Sequence, residues 1–272
     1  MNPLRAGQCY WYTHQTEKRY GLSLAIHLAA IMPAGVLAIL QFIPRLRQRY
    51  PFYHRWGGRL SFGLAIPGIL SVPFLLDRAF GGGLDTRSSA TLLCGLTMWA
   101  VTKAWTTARA RQFDQHRRWA TRAWMWLGCN VTHRAVIGMF AAYSSVAGPK
   151  LAASIPCPQV WAMIENVYGT GLDAQVAWSD YPTCVGLTTA SNGTVETFGL
   201  VYGDFLSGKP EEQAAALYLA FGPAFWVAIL IHVTATEVYL KRDGGRRLQA
   251  KRLPSGLEGP AQSVDGKEMK TR

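Results

Sequence analysis

GLSLAIHLAAIMPAGVLAILQFI, residues 21–43, is an uncharged and almost wholly apolar run of 23 residues. A helix of about 20 such residues spans the hydrocarbon core of a bilayer, so this stretch reads as a membrane span rather than a soluble element. Four further apolar stretches follow, at 59–76, 89–108, 119–147 and 214–239. Together they predict an all-α, multipass membrane bundle of five transmembrane helices. The second is short and carries Pro67 and Pro73. A chain of 272 residues would otherwise suit one or two soluble domains.

The formal charge of +12 is distributed to match. Residues 43–59 hold five basic side chains (Arg45, Arg47, Arg49, Arg55, Arg59) and no acid. Residues 109–122 hold five basic and one acidic, and 241–272 hold nine basic and four acidic. The intervening 147–212 reverses the balance, with two basic and seven acidic, and 77–87 is balanced. This alternation is the positive-inside pattern, and it predicts the N-terminus outside and the C-terminus in the cytosol. It also argues against nucleic-acid binding, because the basic residues border apolar helices instead of forming a domain. No cleavage pattern follows the first apolar run, which reads as a retained signal-anchor.

The predicted organisation is an N-terminal segment with a four-helix core (1–147), an outer segment (148–213), a fifth helix (214–242) and a disordered cytosolic tail (243–272). The outer segment is rich in Pro, Gly, Ser and Thr, with a short amphipathic stretch at Val160–Tyr168. It holds Cys157 and Cys184, a candidate disulfide in an oxidising compartment, with Cys9 as another available partner. It also holds Asn192-Gly193-Thr194, a glycosylation sequon on the predicted outer side. Asn130-Val131-Thr132 matches as well, but falls inside a predicted helix, where it is expected to be unused. Cys94 and Cys129 fall inside helices and read as small apolar side chains. Gly81-Gly82-Gly83 reads as an outer turn, with no preceding strand to make it a nucleotide loop.

Polar residues inside apolar helices are the candidates for function. At 100° per residue, Arg118, Arg122, Trp126, Cys129, Asn130 and His133 share one face of the fourth helix, with Arg134 at its edge. An arginine at that depth is expected to point into the bundle. In the first helix Ser23, His27, Ala30, Ala34, Ala38 and Gln41 share a face of small residues suited to close helix packing or to a flat ligand. His27, His133 and Arg134 are thus candidate catalytic residues. The two histidines are also candidate ligands of a haem b iron, as in membrane b-type cytochromes. His232 in the fifth helix, alone, carries little weight.

Two boxes sit where helices meet water: His54-Arg55-Trp56-Gly57-Gly58-Arg59 and His116-Arg117-Arg118-Trp119-Ala120-Thr121-Arg122. His54, Arg55, Arg59, His116, Arg117, Arg118 and Arg122 suit a phosphate, a propionate or another anion. The plain alternative is that these cations, with Trp56 and Trp119, anchor helix ends at anionic headgroups.

With His27, these boxes resemble a family of predicted multipass membrane proteins catalogued as domain of unknown function 2306. That family shares a histidine in an early helix, a His-Arg-x-x-Gly-Arg box and a later His-Arg-Arg-Trp-x-x-Arg box. Arg134 matches an arginine that often follows. The resemblance covers roughly 21–140 and departs at Ala120, where a methionine is expected. It implies a multipass membrane fold and no established activity. The sequon and outer cysteines favour a eukaryotic endomembrane or plasma membrane over a bacterial inner membrane.

The leading expectation is a membrane-embedded redox or biosynthetic accessory protein. It would act on a small apolar or amphipathic molecule in the bilayer, with haem b as candidate cofactor and a small apolar or anionic molecule as ligand. A non-catalytic scaffold or carrier, and a cofactor-free lipid-substrate enzyme such as a cyclase or isomerase, stay open beside it.

Overall fold

The computed structural model describes residues 18–76, 79–146, 150–169, 177–184 and 197–252. The Asn192 sequon, Cys9 and the tail from 253 onward lie outside them. The described chain is mostly helical. Its elements are α1 (Lys18–Phe42), α2 (Pro44–Arg49), α3 (Pro51–Leu70), α4 (Leu84–Arg109), α5 (Phe113–Leu127), α6 (Cys129–Val146), β1 (Ala152–Pro156), α7 (Cys157–Tyr168), β2 (Phe198–Tyr202) and α8 (Pro210–Arg252), with 3₁₀ turns at Val72–Phe74 and Ala79–Gly82. Two helical stretches, Tyr20–Phe42 and Pro210–Gly245, are long and apolar enough to cross a membrane. The chain divides into two units, Met1–Thr236 and Glu237–Arg272. The packing described below is that of the first unit.

Proline sets the first connection. Pro44 and Pro51 occupy the first positions of α2 and α3, where a missing N–H costs nothing. Each pushes the residue before it out of helical geometry: Ile43 has ψ 112° and Tyr50 has ψ 69°. The chain therefore turns between α1 and α3 through a short helix. The first box begins inside α3 and not at an unstructured entrance. α1 and α3 pack as a hairpin along the small-residue stripe, with Ala30, Ala34 and Ala38 buried. Ser61 Oγ donates to the Ala34 carbonyl at 3.0 Å, a contact that small side chains allow.

α4 and α5 form a second hairpin. The long helix expected at 119–147 is interrupted: α5 ends at Leu127, Gly128 is its cap, and α6 begins at Cys129. A common core joins these hairpins to α8 through Phe62, Leu93, Val101, Trp126, Cys129, Phe225 and Ile229. A second cluster seats Val136, Ile137 and Ala141 of α6 on Ala216, Ala220 and Ala224 of α8.

The outer segment has more structure than its composition suggests. β1 and β2 pair antiparallel, Ala152 opposite Tyr202 through Pro156 opposite Phe198. With α7 they enclose Ile155, Val160, Met163, Ile164 and Val201 over Ala214, Ala215 and Tyr218 of α8. Cys157 and Cys184 form a disulfide in this core, their Cα atoms 5.5 Å apart. The all-α expectation thus gains one two-stranded sheet. At the other end α8 runs on to Arg252, ten residues past the expected end of the fifth segment. Arg, Leu, Gln, Ala and Lys are good helix formers and carry it beyond Gly244-Gly245.

Candidate functional site

The structure brings the two boxes together. His54 lies in the first turns of α3 and His116 in the first turns of α5. They are near enough for their charges to interact, and burial, the Arg47 guanidinium and His116 together push the His54 imidazole below its ordinary value. His116 is oriented by α4: its Nδ1 lies 2.8 Å from the Ala104 carbonyl. A carbonyl only accepts, so Nδ1 carries the proton and donates.

The boxes also share an internal device. Arg59 stacks over Trp56 with its guanidinium carbon 5.2 Å from the ring centroid. Arg122 does the same over Trp119 at 4.7 Å. Both pairs are three residues apart, which places them one above the other on a helix. Cation–π stacking holds each guanidinium flat against its indole. Arg47, Arg55, Arg59 and Arg118 are exposed, while Arg117 and Arg122 are half-buried. The result is a cationic rim at the joined ends of the two hairpins.

Gln41 reaches this rim from the end of α1, and sequence reasoning assigned it only to helix packing. Its amide lies over Gly57, where a Cβ would stand 2.6 Å from Nε2. Two consecutive glycines, Gly57 and Gly58, opposite the end of an apolar helix were the available signal.

The deeper candidates are placed differently. His27 is half-buried, and its Nδ1 donates to the Gly68 carbonyl at 2.7 Å, beside Ser71 Oγ at 3.3 Å. Gly68 is fourteen residues beyond His54 on α3, about 21 Å along the helix. His133 is 2% exposed. Its Nε2 lies 3.1 Å from the Phe221 carbonyl, and its ring centroid is 4.5 Å from Phe221 and 4.7 Å from Phe225. His27 is therefore anchored to α3 and His133 to α8.

These residues do not fit a haem iron shared by His27 and His133. The Nε2 of His133 is committed to Phe221, and a macrocycle beside the ring would have to displace Phe221 and Phe225. Arg134 also departs from expectation: it is exposed. α6 meets its neighbours through Cys129, His133, Val136, Ile137 and Ala141, and Arg134 lies about 100° round the helix from His133. Asn130 and Arg118 are likewise exposed, while Trp126, Cys129 and His133 of the projected face are buried and Arg122 is half-buried.

That interruption has a partner the sequence did not reveal. His232 of α8 places Nδ1 2.6 Å from the Met125 carbonyl and Nε2 2.8 Å from Thr132 Oγ1. It thus donates to one side of the break and accepts from the other. Gly128 lies beside the ring: a Cβ there would stand 3.5 Å from His232 Cε1, in ordinary contact.

The profile of a predicted membrane protein family, DUF2306, matches residues 24–165, just over half of the chain, including both boxes and His27. A fungal relative, Ava biosynthesis cluster protein G of Aspergillus versicolor, is 27% identical over 235 residues. The match covers 76% of this chain and 65% of that relative. No solved structure matches.

Proposed function

The chain belongs to the predicted membrane protein family DUF2306, and on that premise we propose that it is a membrane-embedded biosynthetic accessory protein. It holds a small amphipathic molecule by an anionic head at the rim where the two boxes meet. The observation that carries this reading is the stacking of Phe62 on Trp124, centroids 5.7 Å apart and each eight residues past the histidine of its box, with His54 and His116 close enough for their charges to interact. A cationic rim beside apolar helices suits a molecule with an acidic head and an apolar body.

The same reading takes the charge pattern as five spans with the basic ends in the cytosol, which would set the rim at the cytosolic boundary and the disulfide-closed subdomain outside. The relative's printed name sets it in a biosynthesis cluster, and we extend that context to this chain. His133 and His232 act here as structural ties, since each ring is used on neighbouring helices. A cofactor-free role is therefore preferred to a redox one through His27 and His133.

Binding of dodecyl phosphate to the protein in phosphatidylcholine nanodiscs tests the rim. The wild-type protein should bind it in excess of empty discs, and added salt should weaken the binding. The double variant Arg47→Gln/Arg55→Gln should bind about three- to tenfold more weakly. Equal, salt-independent binding by both proteins would overturn the reading.

A further inference from the structure

Gln41 Oε1 and His54 Nδ1 are both buried side-chain atoms, and neither has a hydrogen-bond partner among the described residues. Buried polar atoms are as a rule paired, and leaving one unpaired is costly. Both atoms lie against the first turns of α3. The Gln41 amide lies over Gly57 and Gly58, with Oε1 3.6 Å from where a Cβ of Gly58 would stand. Gly57 and Gly58 follow His54 by three and four residues, so all three share a face of α3.

The surroundings restrict what can satisfy both atoms. Gln41 Oε1 only accepts. His54 Nδ1 donates when the neutral imidazole carries its proton there. A hydroxyl donates one hydrogen bond and accepts another, so a single hydroxyl completes both. A fully ionised carboxylate has no proton to give Gln41, and an ammonium has no lone pair to take from His54. Arg47 and His116 favour a hydroxyl of some acidity, which is a phenol or an enol sooner than an alcohol.

We propose that Gln41 and His54 form a niche for the phenolic or enolic hydroxyl of the molecule held at the rim, with Gln41 Oε1 accepting from that hydroxyl and His54 Nδ1 donating to it. The niche rests on the rim reading and adds a neutral hydroxyl beside the anionic head. Gly57 is part of it, because any larger residue would drive the Gln41 amide away.

Two probes differing only in that proton test the niche: 4-nonylphenol and its methyl ether 4-nonylanisole, each measured against empty phosphatidylcholine nanodiscs. The wild-type protein should bind the phenol about tenfold more tightly. Gln41→Leu should bring the phenol to the level of the ether while keeping dodecyl phosphate binding, which reports an intact fold and rim; His54→Phe, which also alters the rim, should likewise lose the preference for the phenol. If Gln41→Leu also loses dodecyl phosphate, Gly57→Ala takes its place, and the same loss of preference is required of it. Phosphatidylinositol mixed into the discs separates the sources of the hydroxyl. Displacement of the phenol would assign the niche to the alcohol hydroxyls of a lipid head and overturn the phenolic or enolic assignment, and no displacement keeps it for a small phenol or enol. Equal binding of phenol and ether by the wild-type protein, or a preference that survives in Gln41→Leu, would overturn the proposal. A preserved phenol preference without dodecyl phosphate binding would instead sink the anionic rim alone.

Discussion

His232 Nδ1 lies 2.6 Å from the carbonyl of Met125, across the interruption that separates α5 from α6. One imidazole therefore ties the last turn of the box helix to α8, and Thr132 completes the tie from the far side. His232→Phe keeps the bulk and removes both hydrogen bonds. It should lower stability by about 1–3 kcal/mol, read as a lowered melting temperature in mild detergent. An unchanged melting temperature would show that the break needs no tie.

His133 makes a comparable tie to the Phe221 carbonyl, so His133→Ala should destabilise without removing any bound chromophore. The side chain is 2% exposed and packed on two phenylalanine rings. Truncation of so large a buried ring costs about 3 kcal/mol or more. An absorption spectrum of the purified protein checks the other half. A Soret band lost in both His27→Ala and His133→Ala would contradict the structural role given to His133.

The features visible in the sequence are those with a local cause. The stripe Ala30, Ala34, Ala38 is a periodicity, and α3 packs on it as expected. The apolar runs and the two boxes are local as well. The break at Gly128 was hidden, because a glycine between two apolar stretches does not say that a histidine 104 residues away will occupy the gap. The outer subdomain was hidden for a similar reason. Its core takes Ala214, Ala215 and Tyr218 from α8, which the sequence presents as part of a membrane span. Arg134 was misplaced because the cost of an arginine at membrane depth was set above its position at the edge of the helix face, about 100° from the buried His133.

Gly222 of α8 meets Asp85 of α4 so closely that an added Cβ would overlap the carboxylate. Gly222→Ala should therefore force the two helices apart at a cost of about 1–3 kcal/mol. Pairing it with Asp85→Gly, which removes the carboxylate and the Cβ that the added methyl would meet, should recover part of that loss in a melting-temperature series. Failure of the second substitution to rescue the first would show that the contact is not the cause.

The acidity of His54 gives a pH signature. Burial, Arg47 and His116 lower its value from the ordinary one of about 6.5. The neutral ring is thus favoured by the fold. Its contribution is fully present above pH 6.5 and is lost as the pH falls below it, because the unfolded chain then binds a proton that the folded chain resists. The melting temperature of the wild-type protein should fall faster between about pH 6.5 and pH 5 than that of His54→Gln. A parallel pair of curves would remove His54 from the buried niche.

Sidedness is checked at the two sequons. Asn192 should carry glycan in a secretory membrane, and Asn130 on α6 should not, so the glycosidase-sensitive shift in mobility should vanish in Asn192→Gln and persist in Asn130→Gln. The reverse pattern would invert the topology of this part of the chain.

Convergence of the two boxes is tested most directly by joining them. With Cys9, Cys94 and Cys129 replaced by alanine, His54→Cys/His116→Cys can be treated with a short bismaleimide in membranes. The expected result is a cross-link within one chain, formed from the cytosolic side and slowed by dodecyl phosphate. No intrachain cross-link, or labelling of the two positions from opposite sides of the membrane, would contradict the shared rim.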